Sequence, residues 1–386
     1  MPSAFTMVLN GIDRIRDFDS LFKGKRLGII TSRSGLSTNF IPSWNILAER
    51  YTVRAVFAPE HGLYGCEDAG AMWESEHKSV AGIPLYSLYR QDGQDFKPDM
   101  LTDIDTLVYD IQDVGARFYT YISTLILAMR AASAHGKTVI VLDRPNPLGG
   151  IKTEGNIVKK NFESFIGMYP LCIRYGLTAG ELARLVHTEE QLCCPLHIVP
   201  MGHWHRDMLF PETGRVWIPP SPNLPHFDNT LAYPGTALFE GTDVSEGRGT
   251  ANPFTLIGAP YIDAEKLAAA MNAARLPGVH FLPAGFTPSA SKYAGEACRG
   301  VQLLITDPHT FEPVKTGITL LFAIKTAYSD DFRFLPPAVG SVSASIEWLG
   351  GDSLLRTADS AAEVCSIFEK EAEVFYRRIR PFFIYS

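Results

Sequence analysis

The chain has 386 residues, more than a single hydrophobic core usually accommodates, so two domains are expected. Its composition of 46% hydrophobic and 20% charged residues, with no low-complexity tract or internal repeat, excludes disordered and solenoid architectures. The net charge of -7 comes from interspersed acids and bases, and the lack of a basic stripe excludes a nucleic-acid surface.

The amino terminus, MPSAFTMVLNGIDRIRDF, has no basic segment leading into an apolar core and a small-residue cleavage site, so no signal peptide is expected. RLGIITS at 26–32 reads as a buried strand and 41–50 as a helix. TVRAVFAPE at 52–60 is a second strand and DTLVYDIQD at 105–113 a third. The next helix carries Ile122, Leu125, Ile126 and Met129 on one face; its apolar stretch is too short to span a membrane and contains Arg130. KTVIVLD at 137–143 is a fourth strand, stopped by the stiff Arg144-Pro145-Asn146-Pro147 turn. Thr178-Ala-Gly-Glu181 opens a helix as a capping box, with Leu182, Leu185 and Val186 facing inward. Apolar strands alternating with helices imply an α/β fold: a mainly parallel sheet covered on both faces.

Beyond Trp217 the texture changes. Residues 218–260 are rich in Pro, Gly, Asn and Thr, and are too many for an idle linker. A helix near 264–273, a strand at 300–306, a helix near 314–328 and a terminal helix bearing Val364, Ile367, Phe368, Phe375 and Ile379 follow. These describe a smaller α+β domain, and the expected division is 1–225 and 226–386. The six cysteines, Cys66, Cys172, Cys193, Cys194, Cys298 and Cys365, show no framework spacing and read as reduced thiols of a cytoplasmic protein.

Open parallel sheets bind ligands beyond the carboxyl ends of their strands. Three of the four strands end in acids: Glu60, the pair Asp110 and Asp113, and Asp143. One such acid is ordinarily a cap or a solvated turn residue, whereas three at one edge point to a site. Glu60 is the leading candidate, because Pro59 stiffens its approach and Gly62 permits a sharp exit. His61 could share proton transfer or simply bond a backbone carbonyl. Past the third strand, Asp113, Gln112, Arg117 and Tyr119 offer polar equipment for a hydroxyl-rich ligand, while Tyr121 reads as core. Asn146 and Asn223 each lie between prolines, as rigid turns or as preorganised amides. In Glu240-Gly-Thr-Asp-Val-Ser-Glu246-Gly-Arg248-Gly, glycines and a guanidinium suggest a binding loop. There is no G-x-G-x-x-G after the first strand, no Walker loop and no G-x-S-x-G elbow. His203-Trp-His205 has no matching acid or cysteine, so neither metal nor cofactor is expected.

With these residues assembled, the chain resembles the exo-β-N-acetylmuramidases, glycoside hydrolases long catalogued as a bacterial domain of unknown function. The resemblance runs almost end to end, through FAPEHGLYG, GIPLYSLY, YDIQDVGARFYTYISTL, VLDRPNPLGG, GLTAGELA, PPSPNLP, YPG, EGTDVSEGRGTANPF and the RPFFIY tail. It implies a Rossmann-like domain without a nucleotide, a smaller C-terminal domain and an active site in the cleft between them. It further implies release of N-acetylmuramic acid from the non-reducing end of peptidoglycan fragments, with Glu60 as the catalytic glutamate of the P-E-H-G motif. Residues of IQDVGAR, DRPNP and SEGRGT, among them Gln112, Arg117, Asp143, Arg144, Asn146, Glu246 and Arg248, would line the sugar site together with the adjoining Asp110. The chain departs from the family in having TSRSG at 31–35, Tyr175 where a His is usual, Arg90 after SLY, and an unusual loop at 66–80.

The expected reaction has Glu60 as proton donor or water activator, assisted by Asp113. Two carboxylates about 5 Å apart would give retention and about 6.5–9.5 Å inversion, while the acetamido group of the sugar offers a third route. Arg117, Arg144 or Arg248 would meet the lactyl carboxylate of muramic acid. The expected partner is an amino sugar or muropeptide, with no nucleic acid and no membrane. Competing readings are a glycosidase for another N-acetyl amino sugar and a non-catalytic sugar-binding protein.

Overall fold

A computed structural model describes residues 6–65, 67, 79–90, 93–337 and 343–386. The larger sheet is built from β1 (Arg26–Thr31), β2 (Thr52–Ala58), β3 (Ser79–Val80), β4 (Ile83–Ser87), β5 (Thr106–Asp110), β6 (Thr138–Leu142) and β7 (Leu196–Val199). Their order is β3-β4-β2-β1-β5-β6-β7; every neighbouring pair is parallel except β3 with β4. The chain moves outward in one direction from β1 to β2 and in the other to β5, so the order reverses at β1 and opens a crevice at the carboxyl ends. Helices α1 (Ser43–Ala48), α2 (Tyr121–Ala134) and α3 (Ala179–Glu189) flank the sheet. The inner strands are apolar throughout because both faces are covered; Leu27, Ile29, Ile30, Leu107, Val108, Val139 and Ile140 are fully buried.

The expected capping box is present: Thr178 Oγ1 accepts from the Glu181 amide at 3.2 Å, and Glu181 Oε2 accepts from the Thr178 amide at 3.1 Å. Glu181 has a second task, an ion pair with Arg206 in the interior. The structure adds β3, β4 and β7 to the four expected strands. Pro84 interrupts the pattern of β4, and β7 is only four residues long. The loop at 66–80 singled out by the sequence, including Cys66, lies outside the described residues except for Glu67, Ser79 and Val80.

The smaller unit holds α4 (Phe227–Thr236), β8 (Leu256–Ala259), α5 (Ala264–Ala273), β9 (Val279–Phe286), β10 (Cys298–Ile305), α6 (Pro313–Ala327), α7 (Ser345–Gly350), α8 (Leu354–Thr357) and α9 (Ala361–Ile379). Its antiparallel sheet runs β8-β10-β9. Helices α4 and α6 nearly touch backbone to backbone: a Cβ on Gly235 would sit 1.9 Å from the Pro313 carbonyl oxygen, so only glycine fits. One continuous apolar cluster links Tyr109 and Leu125 of the first unit to Phe239, Ile257, Leu321 and Phe368 of the second. Such an interface holds the two units as a fixed frame for whatever lies between them.

Candidate active site

Parallel strands place their exits at one edge, and Glu60 emerges there two residues beyond β2. The turn that follows is tight: His61 and Gly62 both take left-handed φ values, 69° and 73°. Left-handed backbone is uncommon for histidine, and its occurrence beside Glu60 marks a turn fixed by its surroundings. His61 Nδ1 lies 2.9 Å from the Glu67 carbonyl oxygen. A carbonyl only accepts, so Nδ1 donates this hydrogen bond. Glu60 is half-buried, and its Oε2 accepts a 2.6 Å hydrogen bond from Thr120 Oγ1, at the start of α2.

Both units wall the cavity in front of Glu60. From the first come His61, Tyr89, Phe118, Tyr119 and Thr120, and from the second Tyr233, Glu240, Arg248 and Phe254. The connection between them adds Ser221, Asn223 and Leu224. The aromatic rings brace one another edge to face: Phe118 on Tyr233 at 5.2 Å and Tyr233 on Phe254 at 4.7 Å. Aromatic walls with a few convergent polar groups suit the CH faces and hydroxyls of a sugar. In the same cavity, Arg248 Nη2 donates to Glu240 at 2.8 Å and its Nε lies 3.3 Å from Glu246. Lys292 Nζ is 2.9 Å from the other oxygen of Glu246. Enclosure raises the Glu240 carboxyl above the usual range, with Arg248 opposing and Glu246 adding to the rise.

Of the residues expected at the site, Glu60, His61, Tyr119, Asn223, Glu240 and Arg248 meet at this cavity, with Glu246 one contact behind. The others are held elsewhere by their own partners. Arg144 forms a bidentate ion pair with Asp110, at 2.6 and 2.9 Å, in the interior. Asp143 accepts from Thr178 at 2.7 Å, the Gly180 amide at 2.8 Å and the Tyr385 hydroxyl at 2.6 Å, so it ties the carboxyl-terminal tail to the sheet. Asn146 spans the Leu177 carbonyl and the Leu148 amide, and Gln112 donates to the Asp113 and Pro145 carbonyls. Arg117 is enclosed by carbonyl oxygens of Asn156, Leu171, Leu349 and Gly350. None of the six lines the cavity in front of Glu60, while Gln112 and Arg144 line a separate pocket with Ser34, Leu36 and Arg215. Tyr121 is core, as its pattern suggested, with its hydroxyl on the Pro220 carbonyl.

Asp113 also sits behind the cavity wall. Its Oδ2 accepts from the Tyr175 hydroxyl and from the Gly115 amide at 2.8 Å, while its buried Oδ1 has no hydrogen-bond partner. Burial raises its carboxyl from 3.8 to about 6, against the opposing pull of Tyr175 and two backbone amides. The folded protein therefore keeps a proton that the unfolded chain has released between these values, and this stabilising difference is lost as pH rises through them. Asp113→Asn cannot ionise, so its stability relative to the parent should rise by on the order of 2 kcal/mol between about pH 4 and pH 7. Urea unfolding of both proteins across that range checks this; a difference that stays flat with pH would show that Asp113 does not titrate there.

Sequence reasoning missed Thr120, Tyr89, Tyr233, Phe254 and Lys292. Thr120 stands beside the noted Tyr119 and Tyr121, but only the pairing of helix start with strand end brings it to Glu60. Tyr233 and Phe254 lie within the YPG and TANPF segments and were given no role of their own; both also belong to the apolar core. A larger groove of about 510 Å³, lined by α6, α9 and residues 151–155, is a poorer candidate. Its acids are committed to ion pairs: Lys315 with Glu312 and Glu369, Arg377 with Glu373, and the more buried Arg174 with Glu154. Among the described residues no cluster of His, Cys, Asp and Glu could hold a metal ion, His203 and His205 included.

The geometry thus offers two carboxylates facing one aromatic-walled cavity, one of them paired to a guanidinium. This is equipment for proton transfer at a polar, ring-shaped ligand. Comparison with known proteins agrees. The family described as "Exo-beta-N-acetylmuramidase NamZ, N-terminal" matches residues 27–228, and "Exo-beta-N-acetylmuramidase NamZ, C-terminal" matches 231–385. The chain is 42% identical over 385 residues to the peptidoglycan beta-N-acetylmuramidase NamZ of Bacillus subtilis (strain 168), covering 98% of this chain and 91% of that protein. Two crystal structures of DUF1343 family proteins from Bacteroides fragilis NCTC 9343 are similar throughout. One has a TM-score of 0.88 at 34% identity, covering 98% of this chain and 99% of the other. The second has a TM-score of 0.79 at 29% identity, covering 99% of both.

Proposed function

The chain belongs to the exo-beta-N-acetylmuramidase NamZ family, and from that premise we propose that it is an exo-acting glycoside hydrolase releasing N-acetylmuramic acid from the non-reducing end of peptidoglycan-derived fragments. The observation that carries this reading is the half-buried Glu60 in the wall of a cavity that also presents Glu240 and Arg248. Glu60, oriented by Thr120, donates its proton to the glycosidic oxygen as the bond from that oxygen to the anomeric carbon breaks. Of the three arginines considered for the lactyl carboxylate, Arg248 alone lines the cavity, and two of its five N–H donors suffice for its carboxylate partners. His61 and Asn223 complete the polar lining as substrate contacts.

The unit at 1–225 carries the proton donor, and 226–386 closes the cavity and supplies the charged loop. Cytoplasmic action on imported muropeptide sugars, as a step of cell-wall recycling, fits the free thiols of Cys172, Cys193, Cys194, Cys298 and Cys365. Among the described residues no helix is long and apolar enough to cross a membrane. A chromogenic substrate pair tests the specificity. The N-acetylmuramide should be hydrolysed with kcat/KM at least about 100-fold above the N-acetylglucosaminide, since the lactyl carboxylate pairs with a guanidinium only in the first. Equal rates would point to an enzyme for amino sugars in general, and binding without turnover to a non-catalytic protein.

A further inference from the structure

We propose that Glu240 is the second catalytic carboxylate: the base that takes the proton shed by the group attacking the anomeric carbon. The inference rests on the glycosidase reading above and assigns a role that sequence reasoning gave to Asp113.

The argument begins with placement. A reaction that protonates one oxygen and adds another group at carbon needs a proton acceptor within reach of the same ligand. Asp113 lies behind the wall, its Oδ2 committed to Tyr175 and Gly115. Glu240 lines the cavity that Glu60 lines, and comes from the other unit of the fold. Its side chain is 30% exposed, whereas that of Glu246 is 2% exposed, so of the two acids in this loop Glu240 is the one presented to a ligand.

The second argument is its mounting. Lys292 Nζ is pinned by the Phe239 and Val244 carbonyl oxygens at 2.7 and 3.0 Å, and it holds Glu246. Glu246 holds Arg248, and Arg248 holds Glu240 through Oε1. Alternating charges thus end on one glutamate, whose Oε2 has no other hydrogen bond among the described residues. The face of the Phe254 ring lies 5.1 Å from the Arg248 guanidinium and braces it further. Support of this kind is what keeps a reacting group within a fraction of an ångström of its position. The titratable groups facing Glu240 are Arg248, Glu246, Lys292 and Tyr233, with Glu60 in the wall of the same cavity.

The step balances for either nucleophile. If water attacks, its oxygen bonds the anomeric carbon and one of its protons passes to Glu240. If the acetamido oxygen of the sugar attacks, the amide N–H proton passes to Glu240 and a neutral oxazoline forms. In both cases the glycosidic bond breaks and the departing oxygen receives the proton of Glu60.

The test is the pH profile of kcat for the parent, Glu240→Gln and Glu240→Asp, with folding checked by product binding in a calorimeter. Glu240→Gln should lose roughly 10²-fold in kcat, keep KM within about threefold, and lose the acidic limb of the profile; Glu240→Asp should retain that limb. A Glu240→Gln enzyme with kcat within about threefold of the parent, or with its acidic limb intact, overturns the assignment, as does a loss confined to KM. If the parent releases a different amino sugar, the substrate reading fails while this assignment is tested unchanged on that sugar.

Discussion

Glu60→Gln should lower kcat for release of muramic acid from a sugar leaving group by roughly 10³-fold, with little change in KM and no loss of folding. The amide has the shape of the carboxyl and still accepts the Thr120 hydrogen bond, now 2.6 Å to Oε2, so packing is preserved. What disappears is the transferable proton. The deficit should shrink markedly with a nitrophenyl leaving group, which departs as a stable anion and needs little protonation. Equal deficits for the sugar and nitrophenyl leaving groups would assign Glu60 a different role, and near-normal turnover of both would remove it from the chemistry.

Arg117→Met is expected to destabilise the protein by about 4 kcal/mol, because buried carbonyls stripped of a donor each cost about 1–3 kcal/mol and only partly re-form bonds. The guanidinium is 1% exposed and holds the Asn156 and Leu171 carbonyls of the first unit together with the Leu349 and Gly350 carbonyls of the second. Burial lowers its ionisation to about 10, still well above neutral pH, so the charge is retained at neutral pH. Methionine keeps an unbranched apolar stem and offers no donor. Chemical denaturation measures the loss. The folded variant should still prefer the N-acetylmuramide to the N-acetylglucosaminide, since Arg117 does not line the cavity. Unchanged stability with lost preference would return Arg117 to the substrate site.

These two residues also show what the sequence made legible. Glu60 could be read because a buried strand, a proline and a glycine fix where a single acid must emerge, and all three signals are local. The surroundings of Arg117 could not be read, because a guanidinium beside phenols looks alike whether it faces a ligand or a ring of carbonyls. The carbonyls around it come from positions up to 233 residues away, and none announces itself in sequence. Asp110 and Asp143 repeat the lesson: strand-end position was read correctly, but their oxygens are consumed by Arg144 and by Thr178, Gly180 and Tyr385. The fold was more legible than the site, because long apolar runs and the Thr178–Glu181 cap specify elements on their own. Glu240 entered only as one polar residue of a glycine-rich loop. Its importance comes from the cavity it shares with Glu60, which is a property of how the two units meet.

The most direct test of the account is product analysis on a defined oligosaccharide carrying N-acetylmuramic acid at its non-reducing end, followed by mass spectrometry over time. Free N-acetylmuramic acid should appear as the first product, with a remainder shortened by one sugar, and the same oligosaccharide capped by N-acetylglucosamine should stay intact. Internal cleavage, or release of the glucosamine cap, would contradict it.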